Sequence, residues 1–237
     1  MNIRAAILLM ATLVALSFPA MAGQQYKVVR YSNGTGFFVS NDGHLVTNAH
    51  VVDKCRWAQV SGDGMISRAR ILAKDTKNDM ALLKASMHPG SYATFRPASY
   101  GLETGQKVVV VGHPLGKSLT TRSSELISNK GPMGEDQWVQ FSNSVFQGNS
   151  GGPLLDVAGH VIGMIMAKAT LYRYNPRLAK SEVVGNSDIA IQTHMLEAFL
   201  KDNGVSPRYS EAQIALSAGR IETKAKGFIV KVRCIVK

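Results

Sequence analysis

Short runs of β-branched and apolar residues, separated by frequent turn signals from Tyr26 to about Ile191, constrain the fold of this chain most strongly. Such runs are typical of strands, and glycines between them accept the positive φ angles of tight hairpins, as in Asn41-Asp42-Gly43. Many short strands with few helical segments indicate an all-β fold, either a closed barrel or a sandwich. The clearest runs are 36–40, 45–47, 69–72, 80–83, 107–111, 138–141 and 161–165.

One helix and a C-terminal tail follow the strand-rich region. Residues 193–202 carry apolar side chains at helical spacing and precede Gly204, a typical stop signal. Beyond the helix, residues 208–237 end in a strand-like run from Gly227 to Val236. About 30 residues are too few to build an independent core, so this tail is predicted to dock on the main body or on a partner.

The N-terminus has the three parts of an export signal. Arg4 supplies positive charge, residues 5–18 are apolar, and Ala20-Met21-Ala22 matches a small-residue cleavage site. Cleavage before Gly23 would remove residues 1–22, whereas the alternative is a retained membrane anchor. No later stretch approaches the roughly 20 apolar residues needed to cross a bilayer. The processed chain is therefore predicted to be exported, periplasmic or secreted, and not membrane-spanning.

The chain is strongly basic, with 27 Lys and Arg against 16 Asp and Glu and a formal net charge of +11. Such a balance favours anionic partners, such as an acidic polymer or a lipid surface. Export argues against nucleic acid as that partner. The alternative is a solvated basic surface that only aids solubility.

Two cysteines, Cys55 and Cys234, lie outside the predicted leader. In an oxidising compartment a single disulfide between them is the simplest arrangement, and two unpaired thiols are the alternative. A bridge that closes so long a loop would nominally stabilise the fold by about 5 kcal/mol in the chain-entropy model. The sequence has no C-x-x-C, H-E-x-x-H or calcium-loop pattern, so no metal site is predicted.

Three segments carry residue types that suit chemistry. His50 ends an apolar strand, Asp79 leads into another, and Ser150 lies in the turn Gly148-Asn149-Ser150-Gly151-Gly152-Pro153. A serine hydroxyl needs an adjacent base to act as a nucleophile at neutral pH, imidazole has a suitable pKa, and a carboxylate orients the imidazole. Each residue alone has an ordinary structural explanation. Their combination, in this order along the chain, predicts a nucleophilic triad.

Glycines surround the candidate nucleophile. Gly148 lets the backbone turn so that the amides of Gly148 and Ser150 can point at one developing oxyanion. One donor of this kind is worth roughly 3 kcal/mol of barrier in a known hydrolase. Gly151 and Gly152 leave room for the substrate carbonyl.

With these motifs the chain resembles the trypsin-like (chymotrypsin-fold) serine peptidases, most closely the protease domain of the HtrA/Deg branch. The resemblance covers about residues 30–200. Its matching segments are 34–39, 43–52, 78–83, 108–116 and 148–155. It implies two six-stranded antiparallel β-barrels with the active site in the cleft between them. It also implies catalytic His50, Asp79 and Ser150, an oxyanion hole at the amides of Gly148 and Ser150, a protein or peptide substrate, and no cofactor.

The chain departs from the family pattern in two ways. PDZ domains usually follow the protease in the HtrA branch, but only a short segment follows the helix here. The predicted division is a cleaved leader (1–22), a trypsin-like domain (23–203) and a docked C-terminal extension (204–237). At the strand position that often donates a hydrogen bond to the catalytic aspartate stands Met166, which cannot donate one.

The substrate pocket follows from the same family pattern. The side chain before the scissile bond (P1) would be contacted by Ser144, Gln147, Met166, Lys168 and Asp188. Asp188 falls at the pocket floor, where a carboxylate would favour Lys or Arg at P1. The alternative is that residues 186–188 form an exposed turn and that the pocket is apolar.

Together these features predict an exported serine endopeptidase that forms an acyl-enzyme at Ser150. Its C-terminal strand would pack on a barrel, tied near His50 by a Cys55–Cys234 bridge. Two alternatives stay open: a catalytically weak binding module of the same fold, for which Met166 is the hint, and a peripheral binder of anionic envelope polymers. The sequence predicts no particular oligomeric state.

Overall fold

The computed structural model describes residues 31–142, 144–175 and 180–235. The predicted leader, residues 1–22, lies outside these ranges. Strands dominate the described chain, with two α-helices and three short 3₁₀ turns. In chain order the elements are β1 (Tyr31–Phe38), β2 (His44–Thr47), a 3₁₀ turn (His50–Val52), β3 (Trp57–Gly62), β4 (Met65–Asp75), β5 (Met80–Ala85), β6 (Thr94–Phe95), a 3₁₀ turn (Ala98–Tyr100), β7 (Lys107–Gly112), a 3₁₀ turn (Pro114–Gly116), β8 (Thr120–Ser128), β9 (Trp138–Phe141), β10 (Pro153–Asp156), β11 (Val161–Asn175), β12 (Lys180–Gln192), α1 (Thr193–Asp202), β13 (Arg208–Tyr209), α2 (Ala218–Lys226) and β14 (Ile229–Ile235).

The first barrel closes through a strand from the far end of the chain. Its strand order is β1-β14-β3-β4-β5-β2, and β14 pairs antiparallel with β1 on one side and with β3 on the other. Val230 and Val232 of β14 are buried, whereas the alternating Lys231 and Arg233 are partly exposed, as the two-residue period of a strand requires. The C-terminal segment thus contributes a barrel strand. The domain boundaries at residues 22 and 203 stay predictions.

The second barrel contains six strands in the order β7-β8-β9-β12-β11-β10, closed because β10 pairs with both β7 and β11. Strands β6 and β13 extend its sheet beyond β11. Leu126 and Phe141 belong to a core of its own. A larger core around Phe37 of the first barrel also includes Leu155 and Met164 of the second, so the barrels pack against each other. The predicted all-β fold of two six-stranded antiparallel barrels is confirmed.

The sequence pattern predicted only the first of the two helices. α1 lies where the apolar spacing predicts it. α2 was not predicted, because Ile221 and Ala225 are its only buried residues and the stripe they form is too narrow to give a clear period. Ser217 caps α2 by accepting a hydrogen bond from the Arg220 amide. Within the described chain, neither helix is long and apolar enough to cross a membrane.

A disulfide joins Cys55 to Cys234, with the two Cα atoms 5.2 Å apart. Cys55 follows the 3₁₀ turn that begins at His50, and Cys234 lies in β14. The bridge spans 179 positions of sequence. It therefore attaches the C-terminal strand covalently to the segment that carries the candidate base.

Candidate active site

His50 and Asp79 are joined by two hydrogen bonds. His50 begins the 3₁₀ turn after β2, and Asp79 directly precedes β5. His50 Nδ1 lies 2.8 Å from Asp79 Oδ2, and the His50 amide donates to Asp79 Oδ1 at 2.9 Å. The carboxylate is thus held by the backbone while it orients the ring, which leaves Nε2 of the half-exposed imidazole to accept a proton.

The backbone at Asp79 is in an unusual conformation. Its φ angle is 58°, in the left-handed region that residues with a side chain rarely adopt. The Asp79 carbonyl accepts hydrogen bonds from the Ala49 amide (3.2 Å) and from Asn48 Nδ2 (3.0 Å). These bonds tie the start of β5 to the residues just before His50. A conformation that costs roughly 1 kcal/mol persists where its surroundings hold it in this way, as is common at functional sites.

Ser150 lies in a turn that requires glycine at the next position. A Cβ atom on Gly151 would lie 2.2 Å from Thr47 Oγ1 and 2.3 Å from the Thr35 carbonyl oxygen, and the φ angle there is 84°. The Ser150 carbonyl also accepts a hydrogen bond from the Thr35 amide at 2.9 Å. The serine turn is therefore packed directly on β1 and β2. Because β2 runs into the segment that carries His50, nucleophile and base candidates lie at the same end of the first barrel.

Two hydrogen bonds that would complete the candidate triad are missing among the described residues. The Ser150 hydroxyl makes no hydrogen bond to the His50 imidazole, and Asp79 Oδ2 has no donor other than His50. Met166 is partly buried and packs against the main core, where its thioether donates nothing. A long or absent bond between nucleophile and base is common without substrate, and such bonds tighten in the complex.

The backbone around Gly148 leaves two amides available. The Gln147 carbonyl accepts a hydrogen bond from the Leu115 amide at 2.6 Å, and the Gly148 carbonyl accepts one from Thr35 Oγ1 at 2.7 Å. Every described peptide bond is trans, so each N–H points away from the carbonyl of the same peptide unit. The carbonyls that share a peptide unit with the Gly148 and Ser150 amides are those of Gln147 and Asn149, and the Asn149 carbonyl accepts a hydrogen bond from the Gly152 amide at 2.9 Å. With these carbonyls held, the amides of Gly148 and Ser150 have no acceptor within the described chain. They can serve as oxyanion donors.

The loop from His113 to Lys117 supports the turn at Gly148, and Thr35 is hydrogen-bonded to both the loop and the turn. The His113 amide donates to Thr35 Oγ1 at 2.9 Å, and the Thr35 hydroxyl donates a hydrogen bond to the Gly148 carbonyl. His113 Nδ1 lies 3.0 Å from the Lys117 carbonyl, which closes the loop. Burial holds the pKa of the His113 imidazole below its usual value, so the ring is neutral and donates from Nδ1.

Sequence reasoning assigned no role to this support. Thr35 and His113 lie in two of the segments that match the family, 34–39 and 108–116, and that match was the available signal for their importance. A Cβ atom on Gly148 would lie 2.5 Å from the His113 carbonyl oxygen and 2.8 Å from the Leu115 nitrogen. The loop and the oxyanion turn therefore touch so closely that only glycine fits between them.

Asp188 is the residue predicted at the floor of the P1 pocket. It lies in β12 and is fully buried, so the alternative of an exposed turn is wrong for Asp188. Its Oδ2 accepts the amides of Ser144 and Val145, the latter at 2.7 Å. Its Oδ1 is buried and has no partner among the described residues. Burial raises the pKa of the Asp188 carboxyl, against the opposing effect of the two amides and of Lys168.

Among the other predicted pocket residues, Ser144 is buried and two lie at the surface. Gln147 and Lys168 are exposed, and Lys168 Nζ lies 5.7 Å from the ring centroid of Phe146. The Arg122 guanidinium lies 4.6 Å from the same ring. Two cations thus flank an exposed aromatic side chain beside the serine turn. Among the residues described, no three His, Cys, Asp or Glu side chains are placed to hold a metal ion.

Residues 34–164 match the family model of the trypsin-like peptidase domain. An uncharacterized protein of Sinorhizobium fredii, y4bJ, is 35% identical over 208 residues, which cover 86% of this chain and 32% of the relative. A probable periplasmic serine endoprotease, DegP-like, of Bartonella henselae is 36% identical over 136 residues, which cover 55% of this chain and 27% of the relative. The chain thus spans about a third or less of these relatives.

Solved structures share the fold. The HtrA-type protease AlgW with a decapeptide superposes with a TM-score of 0.58 and 26% identity, covering 72% of this chain and 51% of that one. The Rv3671c protease from M. tuberculosis in its active form gives a TM-score of 0.56 and 25% identity, covering 75% of this chain and 76% of that one.

Proposed function

Because this chain belongs to the family of trypsin-like peptidase domains, we propose that it is a serine endopeptidase with Ser150 as nucleophile, His50 as base and Asp79 as the group that orients His50. The observation that carries the proposal is the double hydrogen bond between Asp79 and His50, at 2.8 Å to Nδ1 and 2.9 Å to the amide. A carboxylate in this position selects the tautomer whose free Nε2 can take the serine proton.

The reaction proceeds in two halves. His50 Nε2 takes the Ser150 proton as Oγ attacks the scissile carbonyl carbon, and the resulting oxyanion is stabilised by the amides of Gly148 and Ser150. The tetrahedral intermediate collapses as His50 gives its proton to the leaving amine, which breaks the peptide bond and leaves an ester on Ser150. Water, deprotonated by His50, then attacks the ester and restores the free serine. No cofactor takes part in these steps.

Asp79 Oδ2 has only the His50 imidazole as a donor among the described residues, and this affects the expected rate of peptide cleavage. A second donor to Oδ2 would make a hydrogen bond to a charged group, worth about 1.5–3 kcal/mol. Since Met166 supplies none, the imidazolium formed in the transition state depends on Asp79 and its backbone bond alone. This supports a working but modest peptidase, and the binding module of the same fold is the outcome if the rate is negligible.

The substrate is a protein or peptide with a basic P1 residue. Oδ1 of Asp188, which is buried without a hydrogen-bond partner among the described residues, supports this preference, because a substrate Lys or Arg would supply the donor it lacks. Peptides that differ only at P1 test it by their kcat/KM values. Preference for Val or Leu over Arg would contradict it and leave Asp188 with the task of holding the Ser144 and Val145 amides.

The site of action is the periplasm or another compartment outside the cytoplasm. The leader at residues 1–22 and the periplasmic location in the DegP-like relative's name support this. Fractionation of the producing cells, with mass determination of the mature N-terminus, tests both points. A chain that keeps its first 22 residues in the cytoplasm would contradict them.

A fluorophosphonate probe tests the catalytic proposal directly, since it reacts with serines activated by a neighbouring base. Wild type should be labelled at Ser150 and Ser150→Ala should not. Ser206→Ala is the matched control, because Ser206 is exposed in the connection after α1 and should leave labelling unchanged. A folded wild-type protein that resists labelling and cleaves no peptide would reject the endopeptidase.

A further inference from the structure

A basic groove lies beside the candidate oxyanion hole. It runs between the β3–β4 hairpin and the loop that follows β7, with a volume of about 500 Å³. Its walls include Met65 and Ile66 on the hairpin, Gly116 and Lys117 on the loop, and Lys231 of β14. Lys117 is exposed and Lys231 is half-buried. The side of the groove away from the hairpin therefore carries two ammonium groups.

Lys231 is held in place by the loop. It points out of the first barrel because its neighbours in β14 are buried, and its Nζ donates to the Gly116 carbonyl at 3.1 Å. An ammonium has three donors, so this bond leaves others for a ligand. None of the described residues that line the groove has a carboxylate. Asp63, at the tip of the hairpin, has its Oδ2 about 4.0 Å from the Cβ position of Gly90, outside this lining.

Contacts connect the groove to the reaction centre. β1 touches the serine turn, since the Thr35 amide donates to the Ser150 carbonyl. Further along the same strand, Asn33 Cγ lies 3.3 Å from the Cβ position of Gly116. Gly116 N in turn lies 3.2 Å from the Cβ position of Gly148, the first oxyanion residue. The loop that forms one wall of the groove is therefore packed against both the serine turn and β1, and Lys231 of β14 lines the groove beside it.

The direction of the groove decides which half of a substrate reaches it. The P1 pocket containing Asp188 is built on β12 of the second barrel, whereas the groove is lined by β14 and the β3–β4 hairpin of the first. The acyl half of a substrate occupies the P1 pocket. The half that leaves after acylation extends on the other side of Ser150, toward the first barrel, which is the barrel that carries the groove.

We propose that Lys231 and Lys117 form a cationic subsite for the leaving half of the substrate, which selects peptides with Asp or Glu at the second or third position after the scissile bond. The inference rests on the proposed peptidase function and adds a specificity that the P1 pocket does not supply. Lys231 comes from the C-terminal strand, so closing the first barrel with β14 also furnishes a substrate contact. The carboxylate selected is that of a side chain in an extended peptide.

Internally quenched peptides that differ only at those two positions test the subsite. Glu should be cleaved with a kcat/KM about twofold to fivefold above Gln, the range for charge pairs near a surface, and Lys should be worst. The ratio of kcat/KM for the Glu peptide to kcat/KM for the Gln peptide should fall toward one in Lys231→Gln and Lys117→Gln. In Lys231→Glu the preference should reverse, so that the Lys peptide has a higher kcat/KM than the Glu peptide. Added salt should weaken the preference in wild type.

The ratio within one variant is independent of how much active enzyme a preparation contains. Lys201→Gln, an exposed position on α1, is the matched control and should keep the wild-type ratio. Equal kcat/KM for Glu, Gln and Lys peptides, in a protein whose Ser150 is labelled by fluorophosphonate, would overturn the subsite and leave the peptidase standing. No labelling and no cleavage would overturn both.

Discussion

Replacing Thr35 by Val tests whether a buried hydroxyl far from the substrate holds the oxyanion hole open. Thr35 is fully buried, and its Oγ1 donates to the Gly148 carbonyl at 2.7 Å while accepting from the His113 amide at 2.9 Å. Valine keeps the shape and removes both bonds. Without the first bond, the 148–149 peptide unit, which lies between the two proposed oxyanion amides, loses its contact with β1.

The magnitude follows from the groups left unpaired. Two buried polar groups without partners cost about 1–3 kcal/mol each, so we expect Thr35→Val to lower the free energy of unfolding by a few kcal/mol. Loss of one oxyanion donor lowers kcat by about 10²–10³-fold. KM should change little, because the donor contacts an oxyanion that exists only in the transition state.

The assay is steady-state peptide cleavage below the unfolding transition, with denaturant unfolding measured in parallel. Thr35→Ser is the matched control, because it keeps the hydroxyl and should retain most of kcat. A folded Thr35→Val protein with kcat within about threefold of wild type would refute the argument, since that change corresponds to much less than one oxyanion donor.

Three further predictions follow from the same contacts. Asp79→Asn should lower kcat by about 10⁴-fold while the fold stays near native, because an amide selects the wrong tautomer of His50. The equivalent change in a known triad has an effect of this size. Near-wild-type cleavage by Asp79→Asn would contradict the prediction. The preference for Arg over Leu at P1 needs the charged Asp188 carboxylate, whose pKa burial raises, so the kcat/KM ratio should fall as the pH drops through that raised pKa. Asp188→Asn should show no such pH dependence, and a flat wild-type ratio would count against the assignment. Replacing Cys55 and Cys234 together by Ser should lower the free energy of unfolding by about 2–5 kcal/mol in urea, and an unchanged midpoint would show that the bridge adds nothing.

Short contiguous motifs explain why so much was predictable. The periodic strands and turn glycines predicted an all-β barrel or sandwich, and the family resemblance implied two six-stranded barrels. His50, Asp79 and Ser150 each stand in a local pattern that is recognisable without knowing the fold. The structure brings two of these three, His50 and Asp79, into direct contact across 29 positions of sequence. Such motifs carry their information locally, and the family resemblance supplied the long-range arrangement.

The long-range contacts of β14, Thr35 and Lys231 could be learned only from the tertiary structure. Thr35 meets Gly148 across 113 positions and Lys231 meets Gly116 across 115. Neither pairing leaves a periodic trace, because a threonine in a strand or a lysine on an exposed strand face looks ordinary in isolation. The sequence alone determined which residues can do chemistry and where strands form. The tertiary structure determined that Thr35 supports the Gly148 carbonyl and that Lys231 lies beside Gly116, since both depend on contacts between distant segments.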